Sequence, residues 1–299
     1  MIKSLVTGGA GFIGSNLVDR LIELGHDVTV IDNESAECNE KFYWNDKASN
    51  HKLDICDYEF TRDLYDEVDY VFHLAAESRL QPAILNPINA VMKNSVGTCT
   101  VLQCAREAGV KKVIYSSTSS AYGLNKFPNF ETDPNDCLNP YSVSKVSGEE
   151  LCKLYTKLYG LKTVIFRYFN VYGDRSPTTG QYAPVIGIFK KQKENNQDLT
   201  IVGDGLQKRD FINVKDVVNA NVMAALSNLT EDKYGEIYNV GSGENISILE
   251  IARMISDHYI HIPPREGEAR TTLANIDKIK KTFGWEPKIE IRQWIEDNK

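Results

Sequence analysis

Two side chains four residues apart carry the most suggestive chemistry in the chain, the phenol of Tyr141 and the ammonium of Lys145 within Pro140-Tyr-Ser-Val-Ser-Lys145. On a helix, residues i and i+4 share a face one turn apart. A nearby cation favours the phenolate and draws a tyrosine pKa down from about 10. Tyr141 would then serve as a base near neutral pH. Taken alone, the spacing is far more often that of an ordinary surface pair, so the elements that would position the two residues must decide.

The chain opens with a short strand, Ile2 to Thr7, followed by Gly8-Gly9-Ala10-Gly11-Phe12-Ile13-Gly14 and an amphipathic helix to about Leu24. Gly25-His26 ends the helix, and Asp27 to Asp32 reads as a second strand. In such a βαβ unit the glycines permit a tight turn, backbone approach to a pyrophosphate, and close packing of helix on strand. The helix N-terminus offers unpaired N–H groups to phosphate. The spacing is GxxGxxG rather than GxGxxG, yet its strand–turn–helix–strand setting points to a dinucleotide. Asp32 at the end of the second strand suits ribose hydroxyls and repels a 2′-phosphate, which favours NAD over NADP.

Residues 33–50 lack any period and read as a loop. Lys52 to Ile55 is a candidate third strand, with Asp54 placed for an adenine amine or, equally, for a turn. A helix to about Tyr65 precedes the apolar strand Tyr70 to Ala76, whose Ala75-Ala76 end leaves space for a ligand. A long helix spans about Ile88 to Ala108 and carries Asn94. A strand from Val110 to Ser117 leads into Thr118-Ser119-Ser120. Ligands of open parallel sheets lie off the carboxyl ends of the strands, where this hydroxyl cluster falls. The helix of Tyr141 and Lys145 and a strand from Lys162 to Phe169 complete the alternation.

The 299 residues allow one large domain with a smaller lobe. An apolar fraction of 42% and a charged fraction of 25% are those of a globular protein. A formal charge of −7 without a basic cluster argues against nucleic acid or an anionic membrane as a partner. It also directs attention to isolated arginines as local anion sites. Cysteines 38, 56, 99, 104, 137 and 152 show neither a CxxC pair nor metal-ligand spacing. They imply reduced thiols, a cytoplasmic setting and no bound metal. No signal peptide or membrane-spanning apolar run is expected.

Together the glycine loop, Ala75-Ala76, Tyr141-x-x-x-Lys145, Arg167-Tyr-Phe-Asn-Val-Tyr-Gly173, Gly203-Asp-Gly-x-x-x-Arg209-Asp-Phe211, Asn239-x-Gly241 and Arg265-Glu-Gly-Glu-Ala-Arg270 resemble an extended short-chain dehydrogenase/reductase. More narrowly, the chain resembles the NAD-dependent nucleotide-sugar epimerases and dehydratases, the UDP-glucose and UDP-N-acetylglucosamine 4-epimerases above all. The resemblance implies an α/β fold: a Rossmann-type doubly wound parallel sheet (1–170 plus 212–242) and a smaller C-terminal α/β substrate lobe (171–211 plus 243–299). It implies a homodimer through the long helix and the Tyr141 helix. It gives Tyr141, Lys145 and Thr118 catalytic roles at C4 of a UDP-sugar. Cofactor contacts would come from the glycine loop, Asp32, Asn33, Asp54, Ile55, Leu74, Ala75, Ala76, Asn94, Ser116, Tyr141, Lys145 and Tyr168. Substrate contacts would come from Ser78, Arg79, Thr118, Ser119, Asn170 and Val185, from the diphosphate-clamping Arg209 and Arg270, from the ribose-binding Glu268, and from Thr272 beside the sugar. Arg265 would more readily form a surface salt bridge.

Sugar 4,6-dehydratases carry an Asp-Glu pair after the Thr118 position. The Ser119-Ser120 found here lacks that acid and base, which favours epimerisation. The small Thr272, and a 180–186 loop similar to that of UDP-N-acetylglucosamine 4-epimerases, imply turnover of UDP-GlcNAc/UDP-GalNAc as well as UDP-glucose/UDP-galactose. A dehydratase, a keto-sugar reductase or a non-catalytic NAD-binding regulator are the alternatives on the same scaffold.

Overall fold

The computed structural model describes residues 1–36, 39–178, 183–264 and 269–298. Its centre is a seven-stranded, wholly parallel sheet. In chain order the strands of the molecule are β1 (Lys3–Thr7), β2 (Asp27–Asp32), β3 (Ser49–Lys52), β4 (Tyr70–His73), β5 (Lys112–Thr118), β6 (Thr163–Tyr168), β7 (Asn170–Tyr172), β8 (Leu199–Val202), β9 (Lys208–Arg209), β10 (Phe211–Asn213), β11 (Glu236–Val240), β12 (Ile246–Ser247) and β13 (Tyr259–Ile262). The large sheet runs β3-β2-β1-β4-β5-β6-β11. Its order reverses between β1 and β4, which opens a crevice at their carboxyl ends. Strands β5 and β6 are buried along their whole length, as expected where helices cover both faces of a parallel sheet.

The helices are α1 (Phe12–Glu23), α2 (Tyr58–Thr61), α3 (Leu80–Leu85), α4 (Pro87–Val91), α5 (Gly97–Glu107), α6 (Pro140–Tyr159), α7 (Val185–Glu194), α8 (Val214–Leu226), α9 (Ile248–Ile255), α10 (Asp277–Phe283) and α11 (Ile291–Asp297). Helices α1 and α8 lie against each other on one face, over a core of Leu17, Val18, Leu21, Val217 and Ala224. Helices α5 and α6 cover the other face, over Val101, Leu102, Tyr115 and Cys152. The buried positions of α6 (142, 144, 145, 148, 149, 152 and 155) follow the helical period, so a single stripe faces the sheet.

A third core gathers Tyr172, Ile186, Phe189, Leu199, Ile201, Phe211, Ile248, Ile251 and Ile255 around the short pairs β8–β13, β9–β12 and β7–β10. Buried Asp210 ties this region to the large sheet's edge. Its carboxylate accepts from the amides of Ser242 (2.7 Å), Gly243 (3.1 Å) and Ala274 (3.0 Å).

Two elements differ from the expectation. The third strand is Ser49–Lys52, in register with Thr29–Asp32, so Asp54 falls in the turn beyond it. The long helix is interrupted by a π-turn at Met92–Val96 between α4 and α5. The inserted residue re-aims side chains locally: Lys93 reaches Asp54, and Asn94 reaches Glu77 and Ser144.

Candidate active site

Helix α6 starts at a well-formed cap. Asn139 Oδ1 accepts from the Ser142 amide (2.9 Å), Ser142 Oγ accepts in return from the Asn139 amide (3.4 Å), and Pro140 occupies the first turn. The cap sets the helix start over the end of β5 and places Tyr141 in a cavity of about 610 Å³.

One turn on, Lys145 is only 2% exposed, and its Nζ lies 4.3 Å from the centre of the Tyr115 ring. The Tyr115 hydroxyl donates to the Lys145 carbonyl (3.1 Å). It fits there because Gly148 has no side chain, as a Cβ would stand 2.2 Å from that oxygen. Burial lowers the Lys145 ammonium to about 7, with Cys152 and Glu149 opposing. Burial, and next the Lys145 charge, keep His73 neutral well below the usual imidazole range.

Tyr141 does not follow the simple expectation of a phenol drawn down by Lys145. Burial raises it above the ordinary tyrosine value. A hydrogen bond with Thr118 and the charge of Arg79 pull it down, and Glu77 pushes it up. Lys145 is committed to the Tyr115 ring and its own desolvation, so the groups acting on the phenol come from β5 and the segment before α3.

The residues expected to hold a dinucleotide form one wall. Gly8, at φ +69°, abuts Ala75, whose amide nitrogen a Cβ would approach to 2.7 Å. A Cβ on Gly14 would come within 2.1 Å of the Gly8 carbonyl oxygen, so α1 can rest against the loop only with glycine there. Gly11 faces open space by comparison, with its nearest neighbour 3.4 Å from a built Cβ. Gly11 also caps α1 without a side-chain bond, leaving the first-turn amides for an anion. The cradle therefore fits a pyrophosphate.

Asp32 and Asn33 line the cavity beyond it. Asp32 accepts from the amides of Ala10 (3.1 Å) and Glu34 (2.8 Å), and burial raises its pKa. Asp54 lines it too, bonded to Asn33 Nδ2 (3.0 Å) and paired with Lys93. Burial pushes Asp54 upward, but Lys93 and the Cys56 amide outweigh this and hold it ionised.

Phe12, Ile13, Ile55, Leu74, Ala76, Ser116, Thr118, Ser119, Tyr168, Ser78, Arg79, Asn170, Val185, Arg209 and Thr272 line the same cavity. Ser116 donates to the Tyr168 hydroxyl (3.0 Å), which is bonded to Asn221. Asn170 Nδ2 donates to the Asp210 carbonyl (2.7 Å) and to Thr272 Oγ1 (3.3 Å).

Two predicted residues stand apart from the lining. Asn94 is fully buried and acts on the cavity through Glu77, accepting from its amide (2.8 Å) and donating to its carbonyl (2.9 Å). Arg270 is exposed and ion-paired with Asp204 (2.6 Å), which leaves Arg209 as the cavity's guanidinium on this side. Glu268, Arg265 and the 180–182 part of the loop lie outside the described residues. Lys93, Glu77 and Asn129 line the cavity without having been predicted. For Lys93 the neighbouring Asn94 was the only available signal.

The fold, the pyrophosphate cradle and the Tyr141–Lys145 helix agree with a sequence match to the NAD dependent epimerase/dehydratase family over residues 4–241. The chain belongs to that family. Its cofactor is NAD, as the family description states and the cradle allows.

Within the family it is 38% identical, over 97% of its length and 95% of the relative's, to a Methanocaldococcus jannaschii protein provisionally named UDP-glucose 4-epimerase. It is 33% identical, over 99% and 96%, to the UDP-N-acetyl-alpha-D-glucosaminuronate decarboxylase of Bacillus cytotoxicus. Among solved structures it is similar to the UDP-N-acetylglucosamine 4-epimerase of Methanobrevibacter ruminantium in complex with UDP-N-acetylmuramic acid. That match has a TM-score of 0.91 at 32% identity and covers 99% of this chain and 96% of the other.

No helix among the described residues is long and apolar enough to cross a membrane, and none of their His, Cys, Asp and Glu side chains cluster as a metal site. Five of the six cysteines are free thiols, and Cys38 lies outside the described residues.

Lys145 yields a pH test. Between its folded value of about 7 and the ordinary 10.5, the unfolded chain holds a proton that the native one has released. Native stability contributed by this group therefore rises with pH through that window, by up to about 1.4 kcal/mol per unit. Urea unfolding at pH 7 to 9.5 should show wild type gaining on Lys145→Met as pH rises. Parallel curves would contradict the burial argument.

Proposed function

We propose that this chain is a NAD-dependent 4-epimerase of UDP-hexoses, acting on UDP-GlcNAc/UDP-GalNAc and also on UDP-glucose/UDP-galactose through a transient 4-keto sugar. The observation that carries the proposal is the meeting of Tyr141, Thr118 and buried Lys145 beside the dinucleotide cradle, with hydroxyls at 119 and 120 where a dehydratase needs an acid and a base.

Bound NAD supplies a carbon that takes up and returns the C4 hydride, and its oxidised ring adds a positive charge. Tyr141 takes the proton of the sugar 4-hydroxyl and later gives it back. Thr118, whose hydroxyl pulls the phenol's pKa down, holds the 4-oxygen and relays that proton. Lys145 binds the nicotinamide ribose. The charge of Arg79 offsets part of the burial that holds the phenol protonated.

Residues 171–211 and 243–299 supply the substrate lobe, whose separate core around Phe189 and Ile201 supports this division. Arg209 contacts the diphosphate as a planar fork suited to phosphate oxygens. Asn170 and Thr272, bonded to each other, stand at the sugar end of the cavity. The small Thr272 side chain leaves room for a 2-acetamido group, and the M. ruminantium relative's name is consistent with such a substrate.

The test is turnover without added cofactor on a panel of UDP-, dTDP- and GDP-hexoses plus a UDP-uronate, with products read by NMR. We expect interconversion of the C4 epimers of both UDP-sugar pairs. Tyr141→Phe should keep bound NAD yet lose turnover by about a hundredfold or more. A lasting 4-keto-6-deoxy product, loss of a carboxylate as CO₂, or an unimpaired Tyr141→Phe would overturn the proposal. Conversion of the non-acetylated pair alone would overturn the role given to Thr272.

We also propose a homodimer. Leu85 (76% exposed) and Ile88 (77%) on α3 and α4 join Val91, Met92 and Val96 beside Val143, Leu154 and Leu158 of the adjoining α6. An apolar surface of this extent marks an interface, and a second copy would cover it. Sedimentation should give a dimer at micromolar concentration and a monomer for Ile88→Glu/Leu158→Glu. A monomeric wild type would contradict the proposal.

A further inference from the structure

Glu149 is wholly buried on α6, one turn beyond Lys145 and two beyond Tyr141, on the stripe that faces the sheet. Its Oε1 accepts from Ser117 Oγ (2.5 Å) and Arg167 Nε (2.8 Å), and its Oε2 accepts from Arg167 Nη2 (2.6 Å). Ser117 precedes Thr118 at the end of β5, and Arg167 lies in β6. One carboxylate thus joins the helix bearing the phenol to the strand bearing its hydroxyl partner.

Arg167 is 1% exposed and lies 4.5 Å from the Tyr122 ring centre. It donates also to Asn135 (2.5 Å), and its Nη1 has no acceptor among the described residues. Such a pair is costly to bury, and apolar side chains of similar volume would serve stability as well or better. What they cannot do is hold a helix at hydrogen-bond distance from a particular hydroxyl. Neither Glu149 nor Arg167 lines the cavity, so neither touches a ligand there.

We infer that Glu149 is a positioning residue, registering Tyr141 and Lys145 against Thr118 through its bonds to Ser117 and Arg167. The inference rests on the acid–base roles proposed above for Tyr141 and Thr118. The groups facing the Glu149 carboxylate are Arg167 from β6, Tyr115 from β5, Cys137 from the preceding loop, and Lys145 and Cys152 on its own helix. Those facing the Tyr141 phenol are Thr118, Arg79, Glu77 and the Tyr115 hydroxyl.

The test compares wild type with Ser117→Ala, which leaves the ion pair intact, and with Glu149→Leu/Arg167→Met, which replaces the pair by apolar groups. Bound NAD and thermal melting report folding. kcat and KM are measured on UDP-hexose, and Tyr141 is titrated by ¹³Cζ-tyrosine NMR with Tyr141→Phe giving the assignment. Both variants should bind NAD, lose about ten- to a hundredfold in kcat with KM within about twofold, and titrate Tyr141 at higher pH as the Thr118 bond weakens.

Wild-type kcat and an unmoved Tyr141 titration in folded variants would overturn the inference, leaving Glu149 a purely structural ion. Should the double variant fail to fold, Ser117→Ala decides by the same two readouts. Should wild type turn over no UDP-hexose, the functional proposal falls by itself. The Tyr141 titration then decides the positioning claim, a shift supporting it and no shift ending it.

Discussion

Everything at this site depends on a lysine ammonium held out of water. Burying a lone charge is expensive, and the group responds by lowering its pKa or by finding compensation nearby. Lys145 does both. The Tyr115 ring lies against it, Glu149 stands one turn away, and His73 beside it stays neutral. Each of these requires α6 to sit close on the sheet, which the missing side chain of Gly148 permits and the Asn139 cap aligns. While protonated, a cation in this setting acts on its neighbours with little screening by solvent.

The same closeness explains the behaviour of the phenol. Tyr141 sits where burial works against ionisation, so what favours its phenolate is the groups aimed at it, Thr118 and Arg79. The rest of the cavity divides by chemistry. Backbone amides and the carboxylates of Asp32 and Asp54 stand at the cradle end. Arg209, Asn170 and Thr272 line the cavity too, and the neighbouring Asp210 carboxylate is held by the amides of Ser242, Gly243 and Ala274.

Much of this was legible in the residues. The glycine loop, Asp32 and the alternation of apolar strands with amphipathic helices each follow from local periodicity, and the sheet has the expected doubly wound order. Tyr141 and Lys145 fall on one helix as their spacing requires. What stayed hidden depends on contacts distant in sequence. A π-turn cannot be read from a helical pattern, so Lys93 was missed and the bonds of Asn94 to the backbone of cavity-lining Glu77 were not foreseen. The pairing of Arg270 with Asp204, sixty-six residues away, was likewise not legible in the sequence. The effect of Lys145 on Tyr141 was argued from two groups in isolation, whereas burial of both alters the balance. Glu149 was not singled out in the sequence and Arg167 entered only as the first residue of the 167–173 motif, because only the packing of α6 on β5 and β6 joins them.

The central claim is that Tyr141 and its neighbours let a sugar give up the hydride at C4 and recover the same one within a single binding event. The direct measurement uses UDP-glucose deuterated at C4 in ordinary water, with the UDP-galactose formed examined by NMR and mass spectrometry. The account predicts that the label stays at C4, without washout to solvent or transfer between molecules. Loss of the deuterium to water, or its appearance on an unlabelled UDP-sugar in the same tube, would contradict it.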